Sequence, residues 1–138
     1  MAARTKARKL ALDILFAAEL REEEPTAVLA ARGRPNQDEL AEYPHAVRLI
    51  EGVQRHRERI DELIATYATG WTLERMPVVD RTVLRMGAFE LLWVDDVPDG
   101  VAVSEAVGLV TELSTDESPR FVNGLLARLQ QLKPSLSL

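Results

Sequence analysis

Apolar side chains recur at three- and four-residue intervals along most of this chain, and this spacing restricts the fold more than any other feature. The pattern is present in residues 5–22, 44–67, 103–113 and 118–132. Such spacing puts the apolar side chains on one face of a helix. Alternation of apolar and polar residues, which would indicate a strand, is not found. We therefore predict an all-α protein with six or seven helices.

Residues 76–93 differ from these segments because they are apolar on most sides. This composition predicts a central helix that the other helices enclose. A short helix is predicted at residues 26–31, with Gly33 and Pro35 ending it and Gly70 ending the long helix. Since 138 residues are enough for one hydrophobic core, we expect a single domain over residues 1–138.

Residues suited to catalysis or metal binding are scarce. The sequence has no cysteine and two histidines, His45 and His56. Eleven residues of helix separate them by about 16 Å, too far to share one metal ion. No glycine-rich phosphate loop is present. We therefore expect a binding protein with no catalytic residue, metal or cofactor, in a reducing cytoplasmic setting.

Positive charge is concentrated at the start of the first helix, although the net charge is −5. The stretch "RTKARK" contains four basic residues and no acid, namely Arg4, Lys6, Arg8 and Lys9. A local basic patch on an acidic protein favours one defined contact with a polyanion. The alternative is an ordinary solvated helix end.

The last helix, "SPRFVNGLLARLQQL", contains the turn-forming pair Asn123-Gly124 near its middle. Ser118 suits the N-cap and Pro119 the first helical position. Six apolar residues in helical register outweigh the turn signal. Gly124 then requires another reason, which is the close approach of either a neighbouring helix or a ligand. From spacing alone we favour helix packing.

Four segments in this order resemble the NusB family of transcription antitermination factors: "ARTKARKLALDILFAAEL" (3–20), "PVVDRTVLRMGAFELL" (77–92), "DVPDGVAVSEAVGLVTELS" (96–114) and "DESPRFVNGLLARL" (116–129). The resemblance covers nearly the whole chain and is weakest between residues 24 and 43. It implies two packed three-helix bundles and no enzymatic activity.

The resemblance also implies a function. NusB proteins bind the boxA segment of ribosomal RNA leaders together with NusE, a small-subunit ribosomal protein. The complex joins other Nus factors on RNA polymerase and suppresses premature termination in ribosomal RNA operons. We expect the same partners here.

Matching positions give the expected sites. The RNA-binding residues are Arg4, Lys6, Arg8, Lys9, Glu117, Ser118, Arg120, Phe121 and Asn123. The four basic residues at the start of the first helix are expected to lie beside the five residues at the start of the last helix, so that together they form one RNA surface. Phe121 either stacks on an unpaired base or joins the apolar stripe. The NusE-facing residues are Phe16, Glu74 and Asp80. Glu74 and Asp80 also fit ordinary helix-end charges, which is the favoured interpretation of Asp80 without the family.

Two alternatives remain at this point. A NusB-like domain also begins some ribosomal RNA 5-methylcytosine methyltransferases, in which a catalytic domain follows. Some family members instead form homodimers that cover the RNA surface. Light scattering with and without boxA RNA distinguishes a masked dimer from an active monomer.

Overall fold

Helix α4 is buried along most of its length in the computed structural model, which describes residues 2–138. The six α-helices are α1 (Ala3–Arg21), α2 (Pro25–Arg32), α3 (Tyr43–Tyr67), α4 (Val78–Trp93), α5 (Asp99–Leu113) and α6 (Ser118–Leu132). Short 3₁₀ turns lie at Gln37–Glu39, Leu73–Arg75 and Lys133–Ser135. No strand is found among these described residues. The all-α class and the enclosed central helix are therefore confirmed.

Prolines and left-handed residues set the helix ends. Pro77 and Pro98 directly precede α4 and α5, because a ring-fixed φ suits a helix start. Glu22 ends α1 with φ 55°, and Gly70 follows α3 with φ 81°. Within residues 2–138, every helix is too short or too polar to span a lipid bilayer.

The chain divides into two compact units, of which the first ends at Arg55. This unit contains α1, α2 and the first part of α3. Helix α1 packs on α2 and buries the predicted stripe that includes Leu10 and Ile14. The backbone N–H of Thr26 donates to Gln54 Oε1 at 2.9 Å and so ties α2 to α3.

The second unit, His56–Leu138, contains the rest of α3 and a group of three mutually packed helices, α4, α5 and α6. Arg85 on α4 donates to both carboxylate oxygens of Asp61 on α3, at 2.8 and 3.2 Å. The ring of His56 stacks on Trp93 with 4.4 Å between the ring centroids. A partly buried ion pair and an aromatic stack therefore join α3 to α4 in this unit.

The boundary between the units falls inside the polar stretch of residues 54–62 in α3. Helix α3 is continuous through this stretch. This division was not predicted, and the single domain over residues 1–138 stays a prediction.

Close helix packing requires a glycine at Gly87, not at Gly124. A Cβ on Gly87 would lie 2.8 Å from Leu126 Cδ1 and 3.2 Å from Ala106 Cβ, where α4 meets α5 and α6. A Cβ on Gly124 would have no neighbour within 4 Å. The hypothesis that Gly124 admits a neighbouring helix is therefore wrong, because that side of α6 faces open space.

We expect Gly87→Val to lower the free energy of unfolding by about 1–3 kcal/mol, because the added methyl groups would overlap Leu126 and Ala106. Denaturant unfolding measures this change. The matched control is Gly108→Val on the open face of α5, which should change stability by less than about 1 kcal/mol. Equal losses at the two positions would contradict this account of Gly87.

Candidate nucleic-acid interface

A buried carboxylate holds the opening of α6 in place. Asp80, in the first turn of α4, is 3% exposed. Its Oδ1 accepts a hydrogen bond from Ser114 Oγ at 2.5 Å, and its Oδ2 accepts one from Ser118 Oγ at 2.9 Å. The N–H of Thr115 donates in turn to Ser118 Oγ at 3.2 Å. The start of α4 is thereby joined to the segment that links α5 to α6.

This network includes two predicted site residues. Asp80 was expected on a NusE-facing surface and Ser118 on the RNA surface, but Ser118 is 1% exposed. Both side chains are directed towards each other, so neither is available to a partner in this conformation. Ser118 is also the first residue of α6, not its N-cap, which is Glu117. The hydrogen bond between Asp80 and Ser118 joins the start of α4 to the start of α6.

Phe121 is half-buried on α6 and lies against an exposed tryptophan. The ring centroids of Trp71 and Phe121 are 6.1 Å apart and their planes are tilted by 49°. Trp71 is 48% exposed. Together with Met76 and Pro77, the two rings line a small apolar recess of about 110 Å³ whose floor includes Asp80. An open aromatic pair of this kind is typical of surfaces that stack unpaired bases.

The segment that carries Trp71 is fixed by an arginine of α4. Arg81 Nη1 donates to the backbone carbonyl of Met76 at 2.9 Å and to that of Leu73 at 3.3 Å. Arg81 therefore contacts the carbonyl group of Leu73, which is in the 3₁₀ turn, and that of Met76, which directly follows the turn. Glu74, a predicted NusE-facing residue, lies on this turn and is exposed.

The remaining predicted residues of α6 lie at the surface. Glu117, Arg120 and Asn123 are all exposed. The backbone of this helix end offers fewer donors than a free N-terminus does, because Ser118 N–H already donates to the carbonyl of Thr115 and Pro119 has no N–H. Side chains are therefore the main means by which this helix end can contact a ligand.

The basic stretch of α1 is only partly exposed. Arg4 and Lys6 are exposed and Lys9 is half-buried. Arg8 is 2% exposed, which departs from the expectation of an accessible phosphate ligand. The helix has no acid in its first turn and no side-chain cap. The cations therefore oppose the helix dipole, a penalty that a bound anion would relieve.

Phe16 is the remaining predicted NusE-facing residue, and the two histidines were expected not to share a metal ion. Phe16 is half-buried on α1, off the main apolar stripe. His45 is buried, and His56 is stacked on Trp93. Among the described residues, no group of three or more histidine, cysteine or acidic side chains is arranged to hold a metal ion.

The sequence reasoning missed Trp71. Its signal was available, because an aromatic residue directly after the helix-ending Gly70 has no apolar stripe to join. The basic residues of α1 and the opening of α6 lie in different units, so the single RNA surface that joins them stays a prediction.

The second unit thus has a partly exposed aromatic pair next to Arg120, and aromatic and arginine side chains are groups on which unpaired bases stack. The family model described as "NusB family" matches residues 5–131. The chain therefore belongs to the NusB family.

Named relatives extend this finding over the full chain. The transcription antitermination protein NusB of Arthrobacter sp. (strain FB24) is 60% identical over 136 residues, which are 99% of this chain and 98% of the relative. The same protein of Thermobifida fusca (strain YX) is 56% identical over 135 residues, covering 98% of this chain and 94% of the relative.

Solved structures agree with the fold. T. maritima NusB has a TM-score of 0.83 at 34% identity and covers 96% of this chain and 97% of its own. The NusB-like chain in the crystal structure of antitermination factors NusB and NusE in complex with dsRNA has a TM-score of 0.78 at 29% identity, with 95% and 98% covered.

We expect Asp80→Ala to lower the free energy of unfolding by about 1–3 kcal/mol, because the buried hydroxyl group of Ser118 and the half-buried one of Ser114 lose their acceptor. Thermal or denaturant unfolding measures the loss. Asp116→Ala removes an exposed carboxylate from the same link, and should change stability by less than about 0.5 kcal/mol. A loss at Asp80 no larger than that at Asp116 would refute the structural role of the network.

Proposed function

We propose that this protein is a transcription antitermination factor that binds boxA RNA of ribosomal RNA leaders together with NusE. In this role it joins other Nus factors on RNA polymerase and helps to suppress premature termination. The proposal includes no catalytic step and no cofactor, and its site of action is the cytoplasm, where RNA polymerase works.

The observation that carries the proposal is the match to curated antitermination proteins along nearly the whole chain, at 60% identity for the Arthrobacter protein. The structural likeness to a NusB chain crystallised with NusE and dsRNA supports the choice of partners.

On α6, the aromatic pair is the proposed base-binding element. An unpaired base stacks on Trp71, which is 48% exposed, and on Phe121, which is half-buried. Arg120 pairs with a phosphate. Asn123 and Glu117 hydrogen-bond to base edges, the amide as donor and acceptor and the carboxylate as acceptor from an amino group.

On α1, the exposed cations supply attraction that does not depend on the RNA sequence. Arg4 and Lys6 pair with phosphates, and Lys9 contributes from a half-buried position. Arg8 is buried, so we assign it to the support of this helix start and not to direct contact with RNA.

For NusE, the proposed contacts are Phe16 in the first unit and Glu74 in the second. An aromatic side chain at a surface is a common interface anchor, and an acidic one suits a basic ribosomal protein. Asp80 acts indirectly, because it fixes the segment beside these contacts.

Titration with boxA RNA and a scrambled control RNA, with and without NusE, tests the proposal. Wild-type protein should prefer boxA, and NusE should strengthen binding. Trp71 offers a direct readout, since stacking on a base should quench its fluorescence in a Trp93→Phe background. Equal binding of the two RNAs, in the presence and absence of NusE, would refute the function.

We expect Arg4→Gln with Lys6→Gln to weaken RNA binding about 10-fold near 0.1 M salt, and to reduce the slope of log affinity against log salt by about 1.4. The melting temperature should hardly change, because both residues are exposed. The control pair, Arg34→Gln with Arg55→Gln, removes the same charge from exposed positions elsewhere. If both pairs have the same effect, the cations of α1 act only through net charge.

We expect Glu74→Arg to weaken co-purification of NusE at least 5-fold without weakening RNA binding by the isolated protein, because the reversed charge repels a basic partner but not a polyanion. Glu51→Arg makes the same change on an exposed part of α3 and should have little effect. Undiminished capture of NusE by the Glu74 variant would remove this residue from the interface.

A further inference from the structure

An open groove of about 490 Å³ runs between the end of α3 and the outer face of α6. The residues of interest that line it are Thr66, Thr69, Arg120, Phe121, Gly124 and Arg128. Phe121 also lines the recess that contains Trp71. Phe121 therefore borders both the groove and the recess.

Gly124 lies in this groove, and none of the usual structural reasons for a glycine applies to it. An added Cβ would meet nothing within 4 Å, and the residue has no left-handed φ. By contrast, Gly87 is required by neighbouring side chains. A glycine weakens a helix interior relative to other residues. Gly124 therefore leaves open space in the groove that any side chain would occupy.

The groove carries positive charge on both sides of Gly124. Arg120 and Arg128 lie one turn before and one turn after it, about 12 Å apart along the helix axis. Both are exposed, and the contact of Arg128 Nη1 with Gln131 Oε1 is long, at 3.4 Å. The described residues that line the groove include no carboxylate, and Thr66 and Thr69 add hydroxyl groups. This chemistry fits a chain of phosphates better than it fits an acidic or an apolar surface.

We propose that the groove at Gly124 holds the sugar–phosphate backbone of the RNA strand that continues from Phe121, with Arg120 and Arg128 each paired with a phosphate. The inference rests on the proposed RNA-binding function and adds to it a second subsite along α6. Gly124 allows the backbone to lie directly on the helix, and Arg128 fixes its far end.

Paired glycine substitutions test the open space. Gly124→Gln and Gly108→Gln each place the same strong helix former on an open helix face. Both should raise the melting temperature by about 3 °C. Gly124→Gln alone should weaken boxA RNA binding at least 10-fold, because its side chain fills the groove. For Gly124→Gln, stability should rise while RNA affinity falls. A damaged fold would lower both, so the result distinguishes a blocked groove from a damaged fold.

The far phosphate contact is tested by Arg128→Gln. This variant should bind RNA about 5-fold more weakly near 0.1 M salt, with a salt slope lower by about 0.7, whereas Arg55→Gln should not. Shortening the RNA one nucleotide at a time from one end should abolish the difference between wild type and Arg128→Gln once the strand no longer reaches the groove.

The outcomes distinguish this inference from the proposed function. Wild-type protein that binds no boxA RNA would overturn both. Wild-type binding that Gly124→Gln and Arg128→Gln leave unchanged would overturn the groove and leave the function intact. If these variants lose NusE capture while RNA binding persists, the groove takes a protein and the inference is wrong. If Gly108→Gln lowers RNA affinity as much as Gly124→Gln does, the inference is also refuted.

Discussion

The exposed surface of the second unit depends on one buried interaction, the acceptance of two serine hydroxyl groups by the carboxylate of Asp80. A carboxylate is tolerated there because it lies in the first turn of α4, where the helix dipole favours negative charge, and because both of its oxygens are hydrogen-bonded. The bonds determine where α6 begins relative to α4. That position in turn brings Phe121 against Trp71, so a buried polar contact determines the geometry of an exposed aromatic one.

The helices could be predicted from the sequence because the apolar period and the prolines are local signals. Pro77, Pro98 and Pro119 lie at or just before the helix starts where steric rules put them. Gly87 could not be predicted as the close-packed glycine. Its requirement comes from the side chains of Ala106 and Leu126 on two other helices, and periodicity within one helix contains no information on how neighbouring helices are placed.

The candidate site was predictable in residue type but not in exposure. Arg8, Asp80 and Ser118 read as surface residues because charged and hydroxyl side chains usually are, yet all three are buried. Their burial depends on contacts made by chain segments distant in sequence, as the bonds of Asp80 illustrate. Trp71 was missed for a related reason, since an irregular segment has no period and its aromatic partner lies on α6.

The Asn123-Gly124 pair then has a physical explanation. Val122, Leu125, Leu126 and Leu129 are buried along the inner side of α6. Burial of each such side chain contributes about 1.5–3 kcal/mol, whereas a glycine in a helix interior costs about 1 kcal/mol relative to alanine. The inner stripe therefore keeps the helix intact through a turn-forming dipeptide. The same helical register directs Gly124 outwards between Arg120 and Arg128, so the stability of the buried face makes an open, cationic outer face possible.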